Sequence, residues 1–104
     1  MTDTLPLAVV RYLAAGTPDQ IAECFTEDGI AVDERQTHHG RAQIRQWREA
    51  VARVRYRQDI LSATHAGDRA TVSCRLTGDF KGSPVELDYR FDLSGGRIAK
   101  LEIA

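Results

Sequence analysis

Hydrophobic residues in the first half of the chain recur at the three- and four-residue spacing of α-helices. The spacing predicts a first helix over residues 5–15, with Thr4 as its cap, and a second helix over residues 18–25. A third helix, over residues 41–54, is the clearest, because its apolar residues form one continuous stripe. The stripe consists of Ile44, Trp47, Val51 and Val54.

The hydrophobic period changes to two residues from Tyr56 onward, which is typical of β-strands that are buried on one face. Turn residues separate four predicted strands, at residues 56–66, 69–80, 85–93 and 97–103. Within the last strand, Ile98 is out of phase with Leu101 and Ile103. We therefore expect a bulge or a bend between them.

One more strand is predicted between the second and third helices. A turn at residues 28–29 precedes it, the strand covers residues 29–33, and a polar loop follows over residues 34–40. Alternation along this strand places Asp33 on the face opposite Val32. Together these elements predict an α+β fold in which a curved sheet, crossed by helices, encloses a conical hollow. Hollows of this kind hold small ligands.

Composition and charge narrow the class of protein. The length of 104 residues suits a single domain, residues 1–104, and contents of 42% hydrophobic and 28% charged residues are typical of globular proteins. A net charge of −1 provides no general attraction to nucleic acid or to an anionic membrane. No apolar run approaches the ~20 residues that span a bilayer. The first residues lack a signal-peptide pattern, so we expect a cytoplasmic protein without membrane partners.

The cysteine, histidine and arginine patterns favour no metal and no nucleic acid. Cys24 and Cys74 lack the spacing of metal ligands and are expected to be buried thiols, with a reactive Cys74 as the less favoured alternative. His38 and His39 have no third ligand close in sequence. Arginine is concentrated over residues 35–57. This cluster is either an anion-binding or nucleic-acid-binding surface or a solvated helix face. The lack of interleaved aromatic residues and of a nucleic-acid motif favours the solvated face.

Four short motifs, in their order and spacing, resemble a known family over nearly the whole chain. They are Val-Arg-Tyr-Leu-Ala-Ala at residues 10–15, the run of residues 25–33, Gly-Arg-Ala-Gln-Ile at residues 40–44 with Trp47, and Tyr-Arg-Phe at residues 89–91 with Gly-Arg-Ile at residues 96–98. The chain resembles the nuclear transport factor 2-like superfamily, in its SnoaL-like and ketosteroid-isomerase-like branch. The resemblance implies a cone-shaped, mostly antiparallel sheet with three N-terminal helices packed on its concave face.

The resemblance also suggests catalytic residues. Ketosteroid isomerases place a tyrosine on the first helix and a base at the end of the first strand, which correspond to Tyr12 and Asp33 in this chain. Their second acid, on a late strand, falls on Leu87 here, so steroid isomerisation is not expected. The first hypothesis is a cofactor-independent isomerase, cyclase or dehydratase in which Asp33 moves a proton next to a carbonyl group, with Tyr12 or His38 as hydrogen-bond partner. The second is a non-catalytic ligand-binding or dimeric accessory domain.

Each candidate residue also has a simpler structural interpretation. Asp33 can cap the following loop, Tyr12 can pack on its helix face, and His38 can be a solvated loop residue. Other residues are expected to form the wall of a cavity for a small, largely apolar organic molecule, or else the core. They are Phe25, Trp47, Tyr56, Cys74, Leu87 and Tyr89.

A mixed-charge face on the late strands is the candidate for a partner surface. Glu86, Asp88, Arg90 and Asp92 alternate with apolar residues, and Arg75 belongs to the preceding strand. A sheet that faces solvent has this pattern, and so does a polar sheet-to-sheet interface. Because proteins that resemble this chain commonly dimerise through the sheet, we expect a homodimer.

Overall fold

The computed structural model describes residues 5–104 of the chain, and within them it contains three helices and six strands. The predicted cap Thr4 lies outside the described residues. In chain order the elements are α1 Leu7–Ala14, α2 Pro18–Glu23, β1 Phe25–Asp33, β2 Gln36–His39, α3 Arg41–Val51, β3 Tyr56–Ala66, β4 Arg69–Gly78, β5 Val85–Ser94 and β6 Arg97–Ile103.

The strands form one curved, open sheet in the order β2-β1-β6-β5-β4-β3. Strands β1 and β6 are parallel, and the other neighbours are antiparallel. The predicted α+β class and the mostly antiparallel sheet with three helices are therefore confirmed. The single parallel pair arises because β6, the last strand of the β3-β4-β5-β6 meander, pairs along its other edge with β1, which runs in the same direction.

The helices bury the residues that helical spacing predicted. In α1 the buried face includes Val9 and Tyr12, and in α3 it includes Ile44 and Trp47. α2 begins at Pro18, where the side chain of Thr17 accepts a hydrogen bond of 3.2 Å from the backbone amide of Gln20. Helix α3 ends at Val51, three residues before the predicted end, so Val54 lies beyond the helix and is exposed.

The β1–β2 hairpin corrects the loop predicted over residues 34–40. Asp33 pairs with Gln36, so Glu34 and Arg35 alone form the turn, with positive φ angles of 51° and 66°. A two-residue turn of this conformation normally contains Asn-Gly, because left-handed backbone costs other residues about 1–2 kcal/mol each. The Glu-Arg pair therefore gave no hairpin signal in the sequence.

Strand β1 begins earlier than predicted, and residues 28–29 do not form a turn. The strand begins at Phe25 and contains an irregularity between Phe25 and Ile30. Gly29 is required there, because a Cβ atom on it would lie only 2.9 Å from the Cβ of Phe25. The bulge predicted in β6 is confirmed, since Leu93 pairs with Ile98 while Asp92 pairs with Lys100, which leaves one extra residue on β6.

The core lies between the helices and the sheet. Its fully enclosed large side chains come from α1, α3 and four of the strands. They include Val9, Phe25, Ile44, Val72, Phe91, Ile98 and Leu101. Both cysteines are free thiols in this core, as expected. Within the described residues no helix is long and apolar enough to cross a membrane.

The opposite face of the sheet is charged, as the alternation predicted. Arg75 donates a 2.8 Å hydrogen bond to Glu86, and Ser73 donates one of 2.7 Å to Asp88. Arg90 lies 3.7 Å from Asp88 and 3.8 Å from Glu102. These ionic contacts are exposed, and such pairs typically contribute only ~0–1 kcal/mol each to stability.

Candidate functional site

A cavity of about 850 Å³ lies between α3, the β1–β2 hairpin and the strands β3 to β6. Its volume is in the range of about 300–1,000 Å³ that is typical of small-molecule sites. Apolar and aromatic side chains form most of its wall. They include Trp47, Val51, Tyr56, Leu76, Leu87 and Tyr89.

Asp33 lies at the end of β1 on the wall of this cavity. It shares a strand face with the fully buried Ala31, so alternation directs both side chains toward the helices. The indole Nε1 of Trp47 donates a hydrogen bond of 3.1 Å to Asp33 Oδ2. Within residues 5–104 the other carboxylate oxygen accepts no side-chain or backbone hydrogen bond. The carboxylate is thus held by one oxygen beside the cavity.

His38 also lines the cavity, and His39 does not. On β2, His38 pairs with Ala31 and therefore points to the same side as Asp33. Its ring stacks on Trp47, with 5.5 Å between centroids and 18° between the ring planes. His39 is exposed, and its backbone amide donates to the side chain of Gln43 at 2.8 Å. The register of β2, a strand that the sequence did not predict, determines that His38 faces the cavity and His39 does not.

Arg48 is a cavity residue that the sequence analysis missed. Its guanidinium carbon lies 5.1 Å from the Trp47 ring centroid and 5.9 Å from that of Tyr12, and both are cation–π contacts. One terminal nitrogen donates a long hydrogen bond of 3.4 Å to the hydroxyl of Tyr56. The spacing of residues along α3 already indicated that Arg48 faces the cavity side of the helix. Arg48 follows Ile44 by four residues and so falls within the apolar stripe of α3 rather than on the solvated face.

Tyr12 is buried in the core and does not line the cavity. Its ring makes edge contacts with Phe25, Tyr89 and Phe91 at centroid distances of 6.3, 6.4 and 5.4 Å. Its hydroxyl is buried without a hydrogen-bond partner in the described part of the chain. Burial raises the pKa of Tyr12 well above its usual value, so the phenol stays protonated.

The predicted wall residues divide between the cavity and the core. Tyr56, Leu87 and Tyr89 line the cavity together with Trp47. Phe25 and Cys74 have no exposed surface and lie in the core. Burial raises the pKa of the Cys74 thiol to about 11, which keeps it neutral and unreactive at physiological pH.

A second cleft, of about 690 Å³, lies between the first two helices and the β5–β6 turn. Three arginines line it, but two of them bind backbone: Arg41 donates to the carbonyl of Phe25 at 2.8 and 3.1 Å, and Arg97 donates to the carbonyl of Glu23. These contacts hold the junction between α2 and β1. Among the described residues, no group of three or more His, Cys, Asp or Glu side chains is placed to hold a metal ion.

Comparison with known proteins assigns the family. The model of the SnoaL-like domain matches residues 7–101, which is nearly the whole chain. The chain belongs to the SnoaL-like domain family. No curated protein matches the sequence.

Solved structures agree with this assignment. A provisionally named polyketide cyclase from Sinorhizobium meliloti is 38% identical, with a TM-score of 0.87 over 96% of this chain and 95% of that one. A hypothetical protein with a ketosteroid isomerase-like fold from Catenulispora acidiphila, solved in complex with trimethylamine, is 28% identical, with a TM-score of 0.83 over 97% and 86% of the two chains. A provisionally named SnoaL-like polyketide cyclase from Jannaschia sp. CCS1 is 21% identical, with a TM-score of 0.78 over 100% and 90%, and shows the shared fold.

Proposed function

We propose that this SnoaL-like protein binds a small, largely apolar carbonyl compound in the 850 Å³ cavity and moves a proton on the carbon next to the carbonyl group. The observation that carries the proposal is the Asp33 carboxylate, held by the Trp47 indole at 3.1 Å on an otherwise mostly apolar wall. A carboxylate with one restrained and one open oxygen is suited to act as a general base.

The chemical step needs no cofactor to balance. Asp33 accepts the proton, the C–H electron pair forms the C=C bond of an enolate, and the carbonyl oxygen becomes anionic. Where a second C=C bond adjoins the enolate, return of the proton from Asp33 to the far carbon of that bond isomerises the compound. Attack of the enolate carbon on a second carbonyl group closes a ring, and the alkoxide formed there takes the proton back from Asp33. The 38% identity to a provisionally named polyketide cyclase supports this class of chemistry, because such cyclisation also begins at a carbon next to a carbonyl.

The alternative function is ligand binding without catalysis, and two residues favour it. In ketosteroid isomerase a tyrosine and a protonated aspartic acid together hold the oxyanion. Here Leu87 stands at the position of that acid, and Tyr12, whose hydroxyl is buried in the core, does not line the cavity. Loss of one oxyanion donor typically lowers the rate by about 10²–10³-fold. Catalysis in this protein therefore requires another group to stabilise the anion.

Hydrogen–deuterium exchange on 2-tetralone tests the proposal. This small bicyclic ketone has acidic hydrogens next to its carbonyl, and their replacement by solvent deuterium is followed by NMR. The wild-type protein is expected to accelerate the exchange, and Asp33→Asn to lower the catalysed rate roughly 10²-fold or more. Asp28→Asn is the matched control, because Asp28 lies on the same strand but is exposed and outside the cavity.

Binding is followed separately, by calorimetry and by quenching of Trp47, the only tryptophan in the chain. If 2-tetralone binds but the wild type does not accelerate exchange, the non-catalytic alternative is correct. Equal catalysed exchange rates for the wild type and Asp33→Asn would show that Asp33 is not the base. If the ketone neither binds nor exchanges, the proposed ligand class is wrong.

A further inference from the structure

Arg48 brings a positive charge to the cavity without a carboxylate partner among residues 5–104. The arginines that do form ion pairs lie on exposed surfaces. They are Arg45, Arg57, Arg69, Arg75 and Arg90. Arg48 is instead half-buried, with its guanidinium over the rings of Trp47 and Tyr12. A cation that is partly removed from water without a counter-charge loses hydration energy that its neighbours must replace.

The described neighbours of Arg48 use little of its hydrogen-bonding capacity. A guanidinium carries five N–H donors in a planar fork that matches a carboxylate or a similar pair of oxygens. Among the described residues its one hydrogen bond is to the Tyr56 hydroxyl, at a long 3.4 Å. The aromatic faces hold the cation by electrostatic attraction but accept no in-plane N–H groups. The remaining donors are thus available to an occupant of the cavity.

The other charges around the cavity do not neutralise Arg48. Glu34 and Lys81 line the cavity but are exposed, so water screens both. Asp33 is half-buried, is held by Trp47, and is not within ion-pair distance of Arg48. His38 stacks on the Trp47 ring. The half-buried part of the wall therefore carries one fixed anion and one fixed cation at separate positions.

We propose that Arg48 binds an anionic oxygen of the ligand, so that the cavity selects small apolar molecules that carry a carboxylate or that form an enolate. The proposal rests on the function proposed above and names its ligand class more closely. In this proposal Arg48 is also the anion-stabilising group that Leu87 and Tyr12 do not provide. The apolar wall contacts the body of the ligand, and Arg48 contacts its charged end.

Binding of two isosteric probes tests the charge preference. The carboxylate 2-naphthoate and the neutral amide 2-naphthamide have nearly the same shape, and calorimetry near neutral pH gives both affinities. We expect the wild type to bind 2-naphthoate about tenfold or more tightly than 2-naphthamide, since charge-assisted hydrogen bonds are roughly twice as strong as neutral ones. Equal affinity of the two probes for the wild type would overturn the proposal, and this comparison needs no variant to fold.

Variants then assign the preference to one residue. Arg48→Gln is expected to remove the preference for 2-naphthoate, while Arg48→Lys retains part of it. Arg45→Gln is the matched control, because Arg45 lies on the same helix but is exposed near Asp19 and outside the cavity. A preference that survives in folded Arg48→Gln, as judged by circular dichroism, would overturn the assignment to Arg48.

The exchange assay distinguishes two possible sources of the anion, a carboxylate already present on the ligand and an enolate formed in the cavity. If an enolate is the physiological anion, Arg48→Gln lowers deuterium exchange on 2-tetralone but changes its binding little. If a carboxylate already present on the ligand is the physiological anion, the variant weakens binding of 2-naphthoate by a larger factor than it lowers exchange on 2-tetralone. Either result supports the binding of an anionic oxygen by Arg48. If the substitution changes neither measurement, the proposal is contradicted. If Arg48→Gln has neither effect while the wild type still catalyses exchange on 2-tetralone, only this inference is overturned. Failure of 2-tetralone to bind or to exchange in the wild type counts against the proposed function.

Discussion

The indole nitrogen of Trp47 and the carboxylate of Asp33 are joined by a hydrogen bond of 3.1 Å between residues that lie 14 positions apart in sequence. The bond connects the middle of α3 to the last residue of β1. Because Trp47 is almost fully buried, its ring position is fixed by packing, and that position in turn fixes the carboxylate. Trp47 therefore acts on Asp33 as a positioning residue.

Trp47→Phe tests that role. The substitution keeps an aromatic ring but removes the indole N–H, so Asp33 loses its orienting donor. We expect deuterium exchange on 2-tetralone to fall about tenfold, and the free energy of unfolding to fall by about 1–3 kcal/mol from the lost hydrogen bond and packing. A double-mutant cycle with Asp33→Asn should show a coupling of about 0.5–3 kcal/mol in urea unfolding. Additive effects of the two substitutions would mean that the contact does not matter energetically.

Tyr12→Phe tests whether the first-helix tyrosine has the catalytic role that the family resemblance implied. Its hydroxyl is buried without a partner in the described residues, so removing it should raise the free energy of unfolding by about 1 kcal/mol. Exchange on 2-tetralone should stay within about twofold of wild type, because Tyr12 does not line the cavity. A folded variant with strongly reduced exchange would instead support a catalytic hydroxyl, and a less stable variant would reveal a hydrogen-bond partner.

Stability at alkaline pH should depend on Cys74. Burial raises the pKa of its thiol from 9.0 to about 11, so the folded state disfavours the thiolate. The stability tied to this group is complete below pH 9, the unfolded value, and is lost as pH rises through about 11. Cys74→Ala should therefore lose less stability than wild type over this range, by up to about 1.4 kcal/mol per pH unit.

Urea unfolding of both proteins from neutral to alkaline pH measures this difference. The buried Tyr12, whose pKa burial also raises, is present in both proteins and cancels in the comparison. Tyr89 is present in both as well, and burial is the largest cause of its raised pKa, with Cys74 a smaller one. Identical pH slopes for wild type and Cys74→Ala would show that the thiol is not protected by burial.

We propose that two copies associate through the charged outer face of β4 to β6. Positive and negative side chains are interspersed there, and this pattern can pair with itself across a twofold axis. Arg90→Glu should weaken the dimer, because the new acid joins Asp88 and Glu102 on the same patch. Analytical ultracentrifugation at micromolar concentration should give about twice the 11.6 kDa chain mass for wild type and a lower mass for the variant. Arg53→Glu, an exposed substitution just beyond α3, is the control.

The sequence alone determined most of the elements and the face on which Asp33 lies. Helical and strand periods are local properties of the chain, and each is enforced by the free energy of burying one face. That is why the stripe through Ile44 and Trp47, the strands after Tyr56 and the bulge near Ile98 were predictable. The family resemblance also followed from local motifs.

Only the tertiary structure decided which polar groups reach the cavity. Arg48 has an apolar stem and a charged head, so its position in the sequence is compatible with either solvent exposure or partial burial. Its contacts with the rings of Trp47 and Tyr12 keep it partly buried. The Glu34-Arg35 turn creates β2 and directs His38 inward, although neither residue favours a left-handed backbone. Tyr12 lies in the core because Phe25, Tyr89 and Phe91 surround its ring. These outcomes depend on contacts between segments distant in sequence, and a local hydrophobic period contains no information about such contacts.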